Sequence, residues 1–132
     1  MNLSNMEEQY PSAREKFIAC ARKGRILSSK CTTCGHFMLA TIYYCENCFS
    51  RKFQSIELEG RGRVSTYTIQ AVAPEGFDDA GFYAWVVFQV DGVGFKVSGF
   101  LPGIASSSDL PLGSRVRVSD YDQRHGLVIN RI

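Results

Sequence analysis

Two C-x-x-C pairs are the residues of this chain whose types and spacing could do chemistry. The first is Cys31-Thr32-Thr33-Cys34, followed by Gly35, and the second is Cys45-Glu46-Asn47-Cys48. A C-x-x-C turn places two sulfurs on one side of a tight loop, and two such loops can supply the four thiolates that tetrahedral Zn²⁺ prefers. We therefore predict one structural zinc ion per chain, with Cys31, Cys34, Cys45 and Cys48 as its ligands.

The alternative use of these cysteines is a pair of disulfides, which requires an oxidising compartment. The first ten residues include Glu7 and Glu8 and contain no apolar run, so they do not resemble a signal peptide. No stretch approaches the roughly eighteen apolar residues of a membrane span. A fifth cysteine, Cys20, would be left over in a disulfide framework. The sequence therefore predicts a reduced, cytoplasmic protein without a membrane partner.

A short helix precedes the cysteine pairs. Ser12-Ala13-Arg14-Glu15 fits a capping box, and the apolar residues that follow recur at helical spacing, which predicts a helix over residues 12–23. Cys20 belongs to the apolar face and is predicted to be a small buried side chain. Gly24 suits the position just after the helix.

The cysteine pairs are flanked by β-favouring segments. Ile26–Lys30 leads into the first pair, and the apolar run Phe37–Tyr44 returns the chain to the second, so we predict a zinc ribbon over residues 25–58. His36 could bind metal in principle, but four cysteines already complete a tetrahedral site, so we predict that it is a surface residue.

The remainder of the chain reads as a series of strands. The predicted strands are Arg63–Ala73, Phe82–Asp91, Val93–Phe100, Arg115–Tyr121 and Leu127–Ile132, with loops at Pro74–Gly81 and Pro102–Gly113. Five strands suggest a small closed OB-type barrel, whereas a sandwich would need about seven. The predicted fold class is mainly β: an N-terminal arm and helix (1–24), a zinc ribbon (25–58) and a five-stranded OB-fold barrel (59–132).

Charge offers limited support for a nucleic-acid partner. The formal net charge is +2, and residues 61–132 carry equal numbers of acidic and basic side chains, whereas affinity for a polyanion comes largely from Lys and Arg.

Aromatic residues are concentrated in the barrel half. They could fill a core, stack on bases or dock a protein partner. The charge balance favours core filling and partner docking over base stacking.

No catalytic motif or nucleophile–base pair can be assembled, so we predict that the chain is not an enzyme by itself.

The order of these parts resembles an acyl-CoA-associated family in which a rubredoxin-like zinc ribbon is followed by an OB-fold. The resemblance covers about residues 17–118. It rests on the following segments: Gly24-Arg25-Ile26-Leu27, the four cysteines, Gly60-Arg61-Gly62-Arg63-Val64 and Leu112-Gly113-Ser114-Arg115-Val116-Arg117-Val118. One departure is Ala40-Thr41-Ile42-Tyr43-Tyr44, where many members carry Pro-Pro-Arg.

The resemblance implies an accessory subunit that bridges a thiolase-like partner and helps to form its CoA or acyl-CoA site, for a bulky or aromatic β-oxoacyl-CoA. CoA phosphates need basic partners. The densest acid-free basic run contains Arg22, Lys23 and Arg25, which we predict contact them. Basic residues also suit a helix C-terminus for dipole reasons alone. The alternative function is single-stranded nucleic-acid binding by the same ribbon and barrel.

Overall fold

The computed structural model describes residues 12–40, 42–70 and 81–132. Its regular elements, in chain order, are α1 (Ala13–Arg22), β1 (Arg25–Cys31), β2 (Phe37–Leu39), β3 (Phe53–Glu59), β4 (Arg61–Gln70), β5 (Tyr83–Val90), β6 (Lys96–Pro102), a 3₁₀ turn (Ser107–Asp109), β7 (Arg115–Asp122) and β8 (Gly126–Arg131). The predicted mainly β fold class, with its short N-terminal helix, is confirmed. The predicted N-terminal arm, and all but the last residue of the loop that begins at Pro74, lie outside the described residues.

Local signals in the sequence set the ends of α1. The Ser12 hydroxyl accepts a hydrogen bond from the Glu15 backbone N–H at 3.0 Å, which satisfies one of the free N–H groups of the first turn. Gly24 adopts a φ of +79° just beyond the helix and turns the chain into β1. Cys20 and Ala21 are buried on the inner side of the helix.

The ribbon is a three-stranded antiparallel sheet in the order β2-β1-β3. β1 pairs with β2 at Ser29 and Met38, and pairs along its whole length with β3. The apolar run predicted from Phe37 to Tyr44 forms a strand only as far as Leu39. The longest partner of β1 is β3, a strand that the sequence pattern did not predict.

The second half is a closed five-stranded barrel in the order β4-β5-β6-β8-β7. Its strands pair antiparallel except for β6 and β8, which meet in parallel at Phe100 and Val128. The register shifts once between Val64 and Thr66 in β4 and once between Val118 and Asp120 in β7. Such irregularities bend strands and help a small sheet to close. The predicted OB-type barrel is confirmed.

One apolar core joins the helix, the ribbon and the barrel. Ala21 of α1 and Ile26 of β1 are fully buried in the same cluster as the inward side chains of the barrel, which include Val64, Val86, Phe88, Val90, Val116, Val118, Leu127 and Ile129. Of the barrel aromatics, Phe88 lies in this interior and Tyr67 and Phe95 pack against it, whereas Phe82 and Trp85 are 51% and 39% exposed. The core is therefore shared: α1 and the ribbon pack against the barrel, and α1 contacts β7.

Candidate metal centre and basic pocket

The two C-x-x-C segments form two turns of matching geometry. In the first, the Gly35 N–H donates to the Cys31 carbonyl at 2.8 Å; in the second, the Phe49 N–H donates to the Cys45 carbonyl at 2.8 Å. Both donors have a left-handed backbone, with φ of +79° at Gly35 and +63° at Phe49. We call these two turns the knuckles, the first at residues 31–35 and the second at residues 45–49.

The knuckles bring four sulfurs together. The Sγ atoms of Cys31, Cys34, Cys45 and Cys48 all lie within 4.8 Å of one another. The Cys31–Cys48 and Cys34–Cys45 sulfur pairs are each 3.6 Å apart. A tetrahedral zinc with Zn–S bonds of about 2.3 Å places its sulfurs about 3.8 Å apart. The cluster therefore fits one Zn²⁺, and a closed set of four thiolates is typical of a structural site.

Hydrogen bonds around the cluster favour negative charge on some of its sulfurs. The backbone N–H of Cys34 is the largest of the effects that lower the pKa of Cys31, to about 6. The Asn47 side chain donates to Cys34 Sγ at 3.5 Å and holds the pKa of Cys34 below its ordinary value. The Ser50 backbone favours the Cys48 thiolate, but burial and the three neighbouring thiols outweigh it and raise the pKa of Cys48 to about 12. A divalent cation would supply the positive charge that four adjacent thiolates require.

The surroundings of the cluster link the two knuckles to each other. His36 Nε2 lies 2.9 Å from Glu46 Oε1, so a residue next to the first knuckle pairs with one inside the second. The Thr33 hydroxyl also donates to the Ser50 hydroxyl at 3.0 Å. His36 is outside the group of possible metal ligands and half-exposed, which agrees with its prediction as a surface residue.

Cys20 lies apart from the four-cysteine cluster. Its Sγ donates to Glu57 Oε1 at 3.1 Å, and burial, followed by this hydrogen bond, raises the pKa of Cys20 to about 12. The side chain is 1% exposed and contacts Leu27 in a small apolar cluster. Cys20 is therefore a protonated thiol, and its burial agrees with its predicted place on the apolar face of the helix.

The structure separates the three basic residues predicted to contact CoA. Arg22 borders a cavity beside α1 that is also lined by Arg14, Ile18 and Gln123. Lys23 and Arg25 instead line a smaller pocket, of about 170 Å³, at the junction of the helix, the ribbon and the barrel. We call this smaller space the junction pocket. Its other lining residues are Gly24, Glu59, Gly60, Arg61, Arg117 and Val118.

Arg61 and Arg117 are the residues of this pocket that sequence reasoning missed. They are direct partners in the antiparallel β4–β7 pairing, so their side chains lie side by side on the outer face of the barrel. Two residues further along the same strands, and on the same face, Arg63 pairs with Arg115. Each of the two strands contains the motif Arg-x-Arg, which could have indicated a basic surface. Local sequence patterns do not give the register of the two strands, so they do not predict which arginines meet.

A larger cavity, of about 610 Å³, lies between the first knuckle and the β5–β6 turn. Its lining includes His36 and Phe37 from the ribbon and Arg63 and Asp91 from the barrel. The volume falls within the range of small-molecule sites.

In the part of the chain that the structure describes, no helix is long and apolar enough to cross a membrane.

Two protein-family models match the chain in succession. Residues 21–54 match the ChsH2 rubredoxin-like zinc ribbon domain, and residues 55–119 match the ChsH2 C-terminal OB-fold domain. A curated relative, the DUF35 domain-containing scaffold protein of Methanocaldococcus jannaschii, is 27% identical over 75 residues, which cover 56% of this chain and 52% of the relative. The chain thus spans about half the length of that relative.

Two solved structures have a similar fold. A DUF35-family protein of unknown function from Sulfolobus solfataricus matches with a TM-score of 0.66 and 20% identity, over 98% of this chain and 92% of that one. The Ltp2-ChsH2(DUF35) aldolase matches with a TM-score of 0.67 and 20% identity, over 87% of this chain and 91% of that one. With both domain models matched in order, the chain belongs to the family that joins a ChsH2-type rubredoxin-like zinc ribbon to a C-terminal OB-fold domain.

Proposed function

We propose that the protein is a non-catalytic accessory subunit of a thiolase-like acyl-CoA enzyme complex, whose partner carries the reactive cysteine. The observation that supports this most is the ribbon–barrel pair itself, because a similar solved structure combines ChsH2 with Ltp2 in an aldolase. The curated relative is named a scaffold protein, which is the same kind of role.

The chemistry of the metal centre favours a structural part for the ribbon. A zinc ion held by Cys31, Cys34, Cys45 and Cys48 would have no open position for water or substrate, and Lewis-acid catalysis needs one. Within the described ranges, these four cysteines are the only group of metal-binding side chains. The zinc would fix the relative positions of the two knuckles and so stabilise the three-stranded sheet.

The proposed contact with CoA involves the basic residues at the end of α1. Of the predicted set, Lys23 and Arg25 share the junction pocket, whereas Arg22 lies on another face. The bulky or aromatic acyl group remains part of the proposal on the strength of the family resemblance. An apolar groove of about 390 Å³, lined in part by Phe17, Leu39 and Trp85, offers a surface for such a group.

The experiment combines this chain with a purified thiolase-like companion and measures assembly by size-exclusion chromatography and turnover of acyl-CoA thioesters. We expect co-elution, a higher rate than that of the companion alone and no turnover by the isolated chain. Arg25→Glu should raise KM for the CoA substrate while zinc content and assembly stay unchanged.

Two results would overturn the proposal. Turnover of acyl-CoA by the isolated chain would contradict a non-catalytic role. Tight binding of single-stranded oligonucleotides at physiological salt, together with no assembly with the companion, would favour the nucleic-acid alternative.

A further inference from the structure

Three segments meet at Gly60 with direct backbone contact. The Gly60 N–H donates to the Gly24 carbonyl at 3.1 Å, and the Gly60 carbonyl accepts from the Val118 N–H at 2.6 Å. A Cβ atom at residue 60 would lie 2.6 Å from the Gly24 oxygen and 2.8 Å from the Val118 Cβ. Only glycine permits this approach, so the turn between α1 and β1, the start of β4 and the middle of β7 are held in direct contact.

This junction collects positive charge. Lys23 and Arg25 come from the first segment, Arg61 from the second and Arg117 from the third. Among the described residues that line the pocket, Glu59 is the only one with a carboxylate. Like charges placed directly opposite each other in a sheet are destabilising, and Arg61 and Arg117 are such a pair. The arrangement therefore costs stability unless an anion lies between the two guanidinium groups.

The neighbouring arginine pair shows how the chain relieves the same repulsion elsewhere. Arg115, opposite Arg63, makes a two-pronged contact with Asp91, with N–O distances of 2.8 and 2.6 Å. In the junction pocket, a 3.9 Å contact with the exposed carboxylate of Glu59 is the only ion pair that the Arg61 side chain makes with described residues. The Arg117 side chain makes no hydrogen bond or ion pair with residues that the structure describes.

We propose that the junction pocket binds the phosphate or diphosphate group of a small-molecule ligand through Lys23, Arg25, Arg61 and Arg117. Two planar guanidinium groups on one face match the geometry of phosphate oxygens, and four cations against one carboxylate leave an excess of positive charge. The volume of about 170 Å³ is below that of pockets that enclose a whole small molecule, so only the charged group would enter.

The position of the pocket disfavours a nucleic-acid strand as the ligand. OB-folds bind oligonucleotides chiefly on the face of their second and third strands, which are β5 and β6 here. The junction pocket lies at β4 and β7, beside the ribbon. The larger cavity has Arg63 in its lining, two residues after Arg61 in β4. It would hold the rest of a small organic ligand whose phosphate lies in the junction pocket. The identification of this ligand as CoA rests on the proposed function, whereas the phosphate site itself rests on the geometry of the junction pocket.

The test is calorimetric titration of the full-length, zinc-loaded chain with inorganic pyrophosphate and with CoA at low ionic strength. The double variant Arg61→Gln/Arg117→Gln should weaken the binding of both ligands by about tenfold or more, because charge-assisted hydrogen bonds are lost. Glu59→Gln, in the same pocket, should raise the affinity for both ligands. Arg51→Gln, which removes an exposed ribbon arginine outside the pocket, is the matched control and should change neither.

A second measurement separates a binding role from a structural one. Without ligand and at low salt, Arg61→Gln/Arg117→Gln should raise the melting temperature by about 1–4 °C, since it removes a like-charge pair. A lower melting temperature with unchanged pyrophosphate affinity would mean that the arginines serve the fold, and would overturn the proposal.

The remaining outcomes separate this proposal from the proposed function. No pyrophosphate binding by the wild-type chain would overturn the phosphate site, even if the chain assembles with a thiolase-like companion. Binding of pyrophosphate without assembly would support the site and contradict the accessory role. Displacement of pyrophosphate by a single-stranded oligonucleotide that binds more tightly would replace the small-molecule ligand by nucleic acid and overturn the proposal.

Discussion

Phe49 occupies in the second knuckle the position that Gly35 occupies in the first. Each follows its second cysteine, donates its N–H to the carbonyl of its first cysteine at 2.8 Å and has a positive φ. A left-handed backbone costs an L-residue about 1–2 kcal/mol relative to glycine. The Phe49 ring is 75% exposed and stacks on Tyr44 with a centroid distance of 6.4 Å, so little burial offsets that cost.

Substitutions at these two positions should therefore have opposite effects on stability. Gly35→Ala should lower the free energy of unfolding of the zinc-loaded chain by about 1 kcal/mol, because its φ of +79° disfavours a Cβ. Phe49→Gly should raise it, by up to about 1 kcal/mol, since the strain is removed and only an exposed ring contact is lost. Urea unfolding at constant free zinc measures both. Destabilisation by Phe49→Gly as large as that by Gly35→Ala would contradict this account.

Removal of one cluster sulfur should remove the metal. Cys31→Ser should lose zinc and leave residues 25–58 sensitive to protease, because Cys31 is a buried member of the cluster and ends the central strand of the ribbon. Cys20→Ser is the matched control: Cys20 lies outside the cluster and bonds to Glu57, so zinc content should stay at one per chain. Elemental analysis of protein purified without chelator checks both. Finding iron, or no metal, in the wild-type chain would contradict the zinc assignment.

The sequence predicted those features that local patterns encode. The helix, the cysteine cluster and most barrel strands follow from capping residues, C-x-x-C spacing and β-favouring runs. β3 was missed because its apolar residues, Phe53, Ile56 and Leu58, do not alternate regularly with polar ones, and none of its seven residues is fully buried. The run after Leu39 was predicted to stay extended, although it turns there, where the Ile42 N–H donates to the Leu39 carbonyl at 3.2 Å.

The junction pocket could not be predicted because it depends on contacts between distant segments. Arg61 and Arg117 are 56 positions apart and meet only through the β4–β7 register, whereas Arg22 and Arg25 are close in sequence and face different cavities. The division at residues 24 and 58 and the roles of the basic residues stay predictions.

Asp91 should stabilise the chain by neutralising Arg115. The hydrogen bonds from Arg115 hold the pKa of Asp91 below its ordinary value of 3.8. A carboxylate with a lowered folded-state pKa stabilises fully above its unfolded pKa, and the contribution is lost as pH falls through the folded value. Asp91→Asn should therefore lower stability at pH 7 by about 0.5 kcal/mol, as expected for a partly exposed pair. Its melting temperature should approach that of the wild type near pH 2.

Arg63→Gln provides the control for this pair. It removes the arginine opposite Arg115, so in the Asp91→Asn background it should restore part of the lost stability by relieving repulsion. Thermal melts of the two single variants and the double variant at pH 7 complete the cycle. Further destabilisation in the double variant would mean that the facing arginines do not repel each other in the folded chain.

Gly60→Ala should disrupt the junction of helix, ribbon and barrel. The added methyl group would lie 2.6 Å from the Gly24 carbonyl oxygen and 2.8 Å from Val118 Cβ. Both Gly24 and Val118 belong to segments that are fixed by hydrogen bonds to Gly60 itself. Neither segment can move without losing those bonds, so we expect a loss of at least about 2 kcal/mol in the free energy of unfolding.

Gly94→Ala is the matched substitution in open space. A Cβ there meets no atom within 4 Å, and no positive φ opposes it. Its stability should stay within about 0.5 kcal/mol of the wild type or rise slightly through the reduced entropy of the unfolded chain. Gly60→Ala should also weaken pyrophosphate binding even below its melting temperature, because the contact of Gly60 with Gly24 holds Lys23 and Arg25 beside Arg61 and Arg117. Equal stability of the two variants would show that the close contact at Gly60 is not what joins the three segments.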